Sequence, residues 1–123
     1  MQTLSHSINI STSYFAALSR IPEGYTPISI CAKPPSWYGG LQYKKLAPTY
    51  DMLMEYKESG DWDRFSKRYI NEVLFKFSRY QTVFDLVELA NNRNIVLLCF
   101  EGKDKKCHRR LVADWLPVEV VEL

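Results

Sequence analysis

Residues 94–100 read NIVLLCF, and this run limits the folds open to the chain more than any other feature. It is continuously apolar rather than alternating, the pattern of a strand covered on both faces of its sheet. Such a strand belongs at the centre, and parallel neighbours need long crossovers, usually helical. The remaining sequence provides both kinds of partner. Residues 8–15 alternate and are rich in β-formers, residues 26–31 (TPISIC) predict a second strand, and the β-branched end at residues 118–123 predicts a last one.

The helical signals lie between them. Pro48 suits the first turn of a helix running to Ser59 and stopped by Gly60. Asp61 can cap a second helix, whose core face is Phe65, Tyr69, Val73 and Phe77, with Ile70 and Leu74 beside them. A third carries the stripe Tyr80, Val83, Phe84 and Val87 and ends at Asn91 and Asn92; a fourth carries Leu111, Val112, Trp115 and Leu116 and ends at Pro117. Residues 33–40 (KPPSWYGG), with two prolines and two glycines around Trp37 and Tyr38, predict a stiff loop leaving the second strand. The pattern is that of an α/β fold with a mostly parallel, four-stranded sheet flanked by helices, in one domain spanning residues 1–123. Strand order stays open.

Composition narrows the class. The chain is 46% hydrophobic and 24% charged, with 5 Gly and 6 Pro, which excludes a disordered or collagenous protein. Its longest apolar run is too short to cross a bilayer, and residues 1–8 show no cationic segment ahead of an apolar core, so the expectation is a cytoplasmic protein without membrane attachment. A net charge of +2 is too small to hold nucleic acid by bulk electrostatics. Three cysteines without a secretion signal are expected as free thiols. The 3 Trp, 8 Tyr and 6 Phe exceed what a small core needs, which points to rings facing a ligand, a partner or a second copy in a homodimer.

Chemistry concentrates in residues 97–110, LLCFEGKDKKCHRR. A buried strand leading through a polar turn into a helix is where open α/β sheets bind ligands, beyond the carboxyl ends of the strands. Cys31 and Cys99 both fall at such ends. With Asp104 as the helix cap, Lys105, Lys106 and Cys107 occupy the first turn, followed by His108, Arg109 and Arg110. Cations are disfavoured at a helix start, and a bound phosphate or carboxylate resolves the conflict, held by backbone N–H groups with Lys106, Arg109 or His108. The alternative is a solvated basic turn with Arg109 in a structural salt bridge.

Cys107 has its own two readings. A thiol near a helix N-terminus and beside cations gains thiolate character, which makes a nucleophile; otherwise it is a buried, inert cysteine. His108 then transfers protons, and Glu101 acts as general base or orients Arg109. Cys31, Cys99, Cys107 and His108 are the residue types of a zinc site, but they lack the close cysteine pair of structural zinc sites, so no metal is expected. A phosphatase-like loop also fails, because the residue six after Cys99 is Lys105, not Arg. Trp37 and Tyr38, continued by Tyr43, can stack on a planar ligand or cover the end of the sheet.

The same residues resemble a known family. Residues 28–48 (ISICAKPPSWYGGLQYKKLAP), the helical segment with Tyr69, Val73 and Leu74, and above all LLCFE followed by CHRRLVADWL resemble the bacterial and phage proteins of the domain of unknown function 488 family. The resemblance covers residues 13–116, and its most specific marks are Cys99 with Glu101 and the triplet Cys107, His108, Arg109. It implies a compact Rossmann-like α/β layer and no particular activity or cofactor. Commoner members show Arg, Pro and Ser after the second strand, where this chain has Lys33, Pro34, Pro35 and Ser36. Lys33 supplies charge there without a bidentate fork.

Two functions fit. One is a site for a phosphorylated or nucleotide-like small molecule at the carboxyl edge of the sheet, with Cys-based catalysis by Cys107, His108 and Glu101 and ligand contacts from Arg109, Lys106, Cys99, Cys31, Lys33, Trp37 and Tyr38. The other is a non-catalytic binder, either a sponge for a nucleotide-derived signal or a protein-interaction adaptor.

Overall fold

The computed structural model describes residues 8–102 and 105–123. In chain order the elements are β1 (Ile10–Tyr14), β2 (Tyr25–Ser29), β3 (Leu41–Gln42), α1 (Tyr50–Ser59), α2 (Trp62–Glu72), α3 (Arg79–Leu89), β4 (Asn94–Cys99), α4 (His108–Trp115) and β5 (Val120–Glu122). Short 3-10 turns cover Phe15–Arg20, Lys44–Leu46 and Leu74–Lys76. The apolar run is the centre of the fold: the sheet order is β3-β2-β4-β1-β5, and every neighbouring pair is parallel. One row crosses the whole sheet, Leu41, Ile28, Leu97, Thr12 and Glu122. The α/β, Rossmann-like expectation holds with five strands, not four. The extra strand, β3, has two residues, too few to show alternation, and follows directly on the Pro- and Gly-rich loop.

Each face of the central strand has its own cover. Ile95 and Leu97 pack with Ile10, Ile28, Phe65, Tyr69, Leu86 and Val112 beneath the helices; Val96 and Leu98 pack with Phe15, Cys31, Tyr38, Cys99 and Cys107. The helix ends follow local chemistry. Thr49 accepts from the Met52 amide, Asp61 from Arg64 and Ser78 from Gln81, each filling one of the orphan donors of a first turn. Gly60 closes α1 at φ +66, a conformation that a side chain disfavours.

Two helical expectations need correction. The second helix ends at Glu72 and gives way to a 3-10 turn, so Phe77 is not on it, and Ile70 is exposed. In α3 the buried residues are Thr82 and Leu86, while Tyr80 and Phe84 stand 63% and 69% exposed. Thr82 can face inward because its hydroxyl donates to the Ser78 carbonyl at 2.8 Å, which removes the cost of burying it. Among the described residues no helix is long and apolar enough to cross a membrane.

Candidate functional site

Because all strands are parallel, their carboxyl ends share one edge. The chain leaves β2 toward β3 on one side and leaves β4 toward β5 on the other, so the connections diverge between β2 and β4. That divergence is where open α/β sheets accept ligands. Cys31 follows β2 and Cys99 ends β4, and α4 begins beside them with Cys107 as its N-cap residue.

The start of α4 differs from the sequence expectation. Its first helical residue is His108, so Lys105 and Lys106 precede the helix on an exposed turn. The expected cap, Asp104, lies outside the described residues. Among the described residues no side chain caps the first turn of α4; the Arg110 N–H, at the position that Thr49, Asp61 and Ser78 serve in the other helices, bonds the Cys107 carbonyl at 3.0 Å instead.

His108 is buried and anchored. Its Nε2–H donates to the Ile30 carbonyl at 2.7 Å, so in the neutral ring Nδ1 is the acceptor, and Nδ1 lies 3.7 Å from the Cys107 sulfur. Burial, opposed by the bond to Ile30 and reinforced by the nearby Arg109 charge, pushes its pKa down to about 4. The imidazole is therefore neutral at pH 7, with its free lone pair turned toward sulfur. Tyr69 packs edge-on against the ring at 5.4 Å.

The cysteines are not three free thiols. Cys99 and Cys107 form a disulfide, and only Cys31 is free. Eight positions separate the pair in sequence, but the strand end and the N-cap position bring their sulfurs together. Cys31 is buried, its thiol 4.0 Å from the Leu98 carbonyl, and burial raises its pKa to about 11, against weaker opposing pulls from the Phe100 backbone, Ser29 and Arg109. The ligand atoms of Cys99, Cys107 and His108 lie within 4.8 Å of one another. The fold thus assembles two sulfurs and an imidazole nitrogen whose sequence spacing disguised them. Joined as a disulfide, the sulfurs offer no thiolates to a metal ion.

Arg109 does not point outward at a ligand. It is fully buried, and all five of its N–H donors are used. Nε bonds both Glu122 carboxylate oxygens at 3.2 Å, Nη2 bonds Glu122 at 2.9 Å and the Gly102 carbonyl at 3.1 Å, and Nη1 bonds the Glu101 carbonyl at 2.6 Å and the Cys99 sulfur at 3.3 Å. Its guanidinium also sits 5.7 Å from the centre of the Tyr14 ring. Burial raises the Glu122 pKa, but hydrogen bonds from Arg109 and Thr12 outweigh it and hold the carboxyl below its ordinary range. Glu122, which the sequence reading missed, is thus the carboxylate partner of Arg109. Glu101 contributes its backbone carbonyl instead, and its side chain is exposed. The Arg–Glu pair joins residues distant in pattern as well as in element, and a β-branched terminal strand gives no hint of it.

The aromatic loop divides. Trp37 is 61% exposed, whereas Tyr38 is buried and its hydroxyl donates to the Leu41 carbonyl at 2.7 Å or the Pro27 carbonyl at 3.2 Å. Tyr38 therefore fastens the loop and presents no ring to a ligand. Phe15 packs against Trp37, Tyr38 and Phe100, and Phe100, absent from the sequence expectation, is 53% exposed beside it. Lys33 and Lys106 are exposed, and the hydroxyl of Tyr43, which follows β3, donates to Asp85 of α3 at 2.7 Å.

Searches of curated proteins and of solved structures give no match. Residues 25–119, which contain Cys31, the aromatic loop, Cys99, Glu101 and the Cys107–His108–Arg109 triplet, match the family model DUF488-N3a, described as the active DUF488-N3 subclade; the chain belongs to the DUF488 family.

Proposed function

We propose that the carboxyl edge of β2 and β4 binds a phosphorylated or nucleotide-like small molecule, and that reduced Cys107 acts on it as a nucleophile. The observation that carries this reading is the position of Cys107: it is the N-cap of a helix whose first turn has no side-chain cap among the described residues, with the acceptor nitrogen of a neutral histidine 3.7 Å from its sulfur. In the reduced protein the thiol donates to Nδ1 of His108, which takes the proton as sulfur attacks. The backbone N–H groups of His108 and Arg109 at the helix start donate to the anionic part of the ligand, with charge from Lys106 and Lys33. Trp37, with Phe100, offers the planar part an aromatic surface. Arg109 is a positioning residue: by holding the Glu101 and Gly102 carbonyls, it sets the turn between β4 and α4. A subclade described as active accords with this reading.

Calorimetric titration of the reduced protein with AMP and with inorganic phosphate tests it. Binding that weakens in Lys106→Ala and Trp37→Ala supports the site; binding unchanged in both overturns it. A non-catalytic binder is the second reading, favoured by the burial of Cys107 and its bond to Cys99. It predicts that AMP is recovered unchanged from the denatured reduced protein and that Cys107→Ser binds as tightly as the parent.

A further inference from the structure

The Cys99–Cys107 disulfide sits in the middle of the candidate site, and its surroundings are unequal. Cys99 is 1% exposed, fixed at the end of a strand paired on both sides, with Arg109 Nη1 3.3 Å from its sulfur. Cys107 is 6% exposed and follows an exposed turn, with no guanidinium bond to its sulfur among the described residues. The disulfide also does not hold that turn alone. Arg109 already ties Glu101 and Gly102 to α4 through two carbonyls, and Cys99 is held by the ladders of β4. A covalent link that duplicates an existing anchor, beside a cation and a histidine, is placed for chemistry.

We propose that this pair is a redox couple that exchanges with a low-molecular-weight thiol, and that the exchange has a direction. The external thiolate attacks the Cys107 sulfur. The bond between the two protein sulfurs breaks, and its electron pair goes to Cys99, where the Arg109 N–H stabilises the departing thiolate. A mixed disulfide on Cys107 results. A second external thiolate attacks the outer sulfur of that mixed disulfide, forming the small-molecule disulfide and releasing Cys107 as a thiolate, which takes a proton from water. Cys99 is protonated from water likewise. In sum, one protein disulfide and two small thiols give a protein dithiol and one small disulfide. The exchange deepens the proposed function and rests on it in one respect: reduction is what frees Cys107 to act as the nucleophile.

The test uses the full chain, oxidised, with reduced glutathione as the probe in the absence of any phosphate compound. Quenching with iodoacetamide and peptide mapping reads each sulfur. The expected result is thiols at Cys99 and Cys107 in the folded protein, with glutathione trapped on Cys107 and none on Cys99. In Cys99→Ser, oxidised glutathione should label Cys107 stably, and in Cys107→Ser the labelling of Cys99 should fall at least about tenfold, since access and attacking sulfur both change. A disulfide that resists glutathione until urea unfolds the chain, or glutathione found on Cys99, overturns the proposal. Because no nucleotide enters this assay, loss of AMP binding leaves its outcome unchanged. Exchange that fails while the dithiothreitol-reduced protein still binds AMP overturns this proposal alone.

Discussion

The two faces of β4 are equally dry but differently built. On one, Ile95 and Leu97 lie under helices in a largely aliphatic cluster; on the other, Val96 and Leu98 lie under a 3-10 turn and an irregular loop, among sulfur and aromatic rings. A helix satisfies most of its backbone internally, so it can cover a sheet with apolar side chains alone. On the second face and its edge, side chains bond backbone carbonyls: Tyr38 those of Pro27 and Leu41 on the strands, His108 that of Ile30 just beyond β2, and Arg109 those of Glu101 and Gly102 in the turn after β4. The second face and its edge thus carry fixed polar groups, two of them supplied by the first turn of α4. Fixed polar groups are what a reactive site requires.

The largest expected effect falls on that edge. Glu122→Gln removes the charge opposite a fully buried Arg109 and should cost about 3 to 5 kcal/mol in urea unfolding, because an uncompensated buried charge remains. A loss below about 1 kcal/mol would show that the carbonyls of Glu101 and Gly102 suffice to hold the guanidinium, and would erase the contrast between the faces. The helical face gives the next test. Leu97→Ala should cost about 3 kcal/mol, since tightly packed helices collapse poorly around the cavity. Leu98→Ala, the same deletion on the other face, should cost less, because its loop cover can settle. Equal losses would mean that the irregular cover is packed as rigidly as the helices.

His108 belongs to both faces and makes stability depend on pH. Its folded pKa of about 4 lies below the ordinary value of 6.5, so the unfolded chain binds the proton more readily between the two. Stability from this group is full above pH 6.5 and is lost as the pH falls toward 4. The full loss is roughly 3 kcal/mol. Unfolding midpoints followed across that range should fall in the parent and less in His108→Asn; parallel slopes would mean that the ring is not held neutral.

The fold was more legible than the site, for physical reasons. Continuous apolarity at Ile95 to Cys99 and the capping residue Asp61 act over a few residues, so a linear reading finds them; Thr49 and Ser78 went unnamed as caps, and Pro48, expected in the first turn of α1, precedes its cap. Strand β3 escaped because two residues carry no period. Cys99, Cys107 and His108 were each recognised as chemically capable, but their meeting depends on which strand end α4 starts beside, which no local pattern encodes. Arg109 drew attention through its neighbours in sequence, whereas its partner Glu122 lies on the sheet's last strand and pairs through register with Thr12. Phe100 was hidden at the end of the buried run, where alternation gives no sign that the last ring turns to solvent.

The smallest effects separate cover from contact within the aromatic loop. Tyr38→Phe removes a hydroxyl that fastens the loop to backbone carbonyls, and should cost about 1 kcal/mol with no change in the sheet. Trp37→Ala should change stability by less than about 0.5 kcal/mol, because the ring is mostly in water. The same substitution should weaken AMP binding by about tenfold, the lower range of a lost base–aromatic stack. If Trp37→Ala instead destabilises the fold as much as Tyr38→Phe does, its edge contacts with Phe15 and Tyr38 are part of the cover. The loop would then be structural throughout, and the exposed ring of Phe100 would be left as the surface on which a planar ligand could rest.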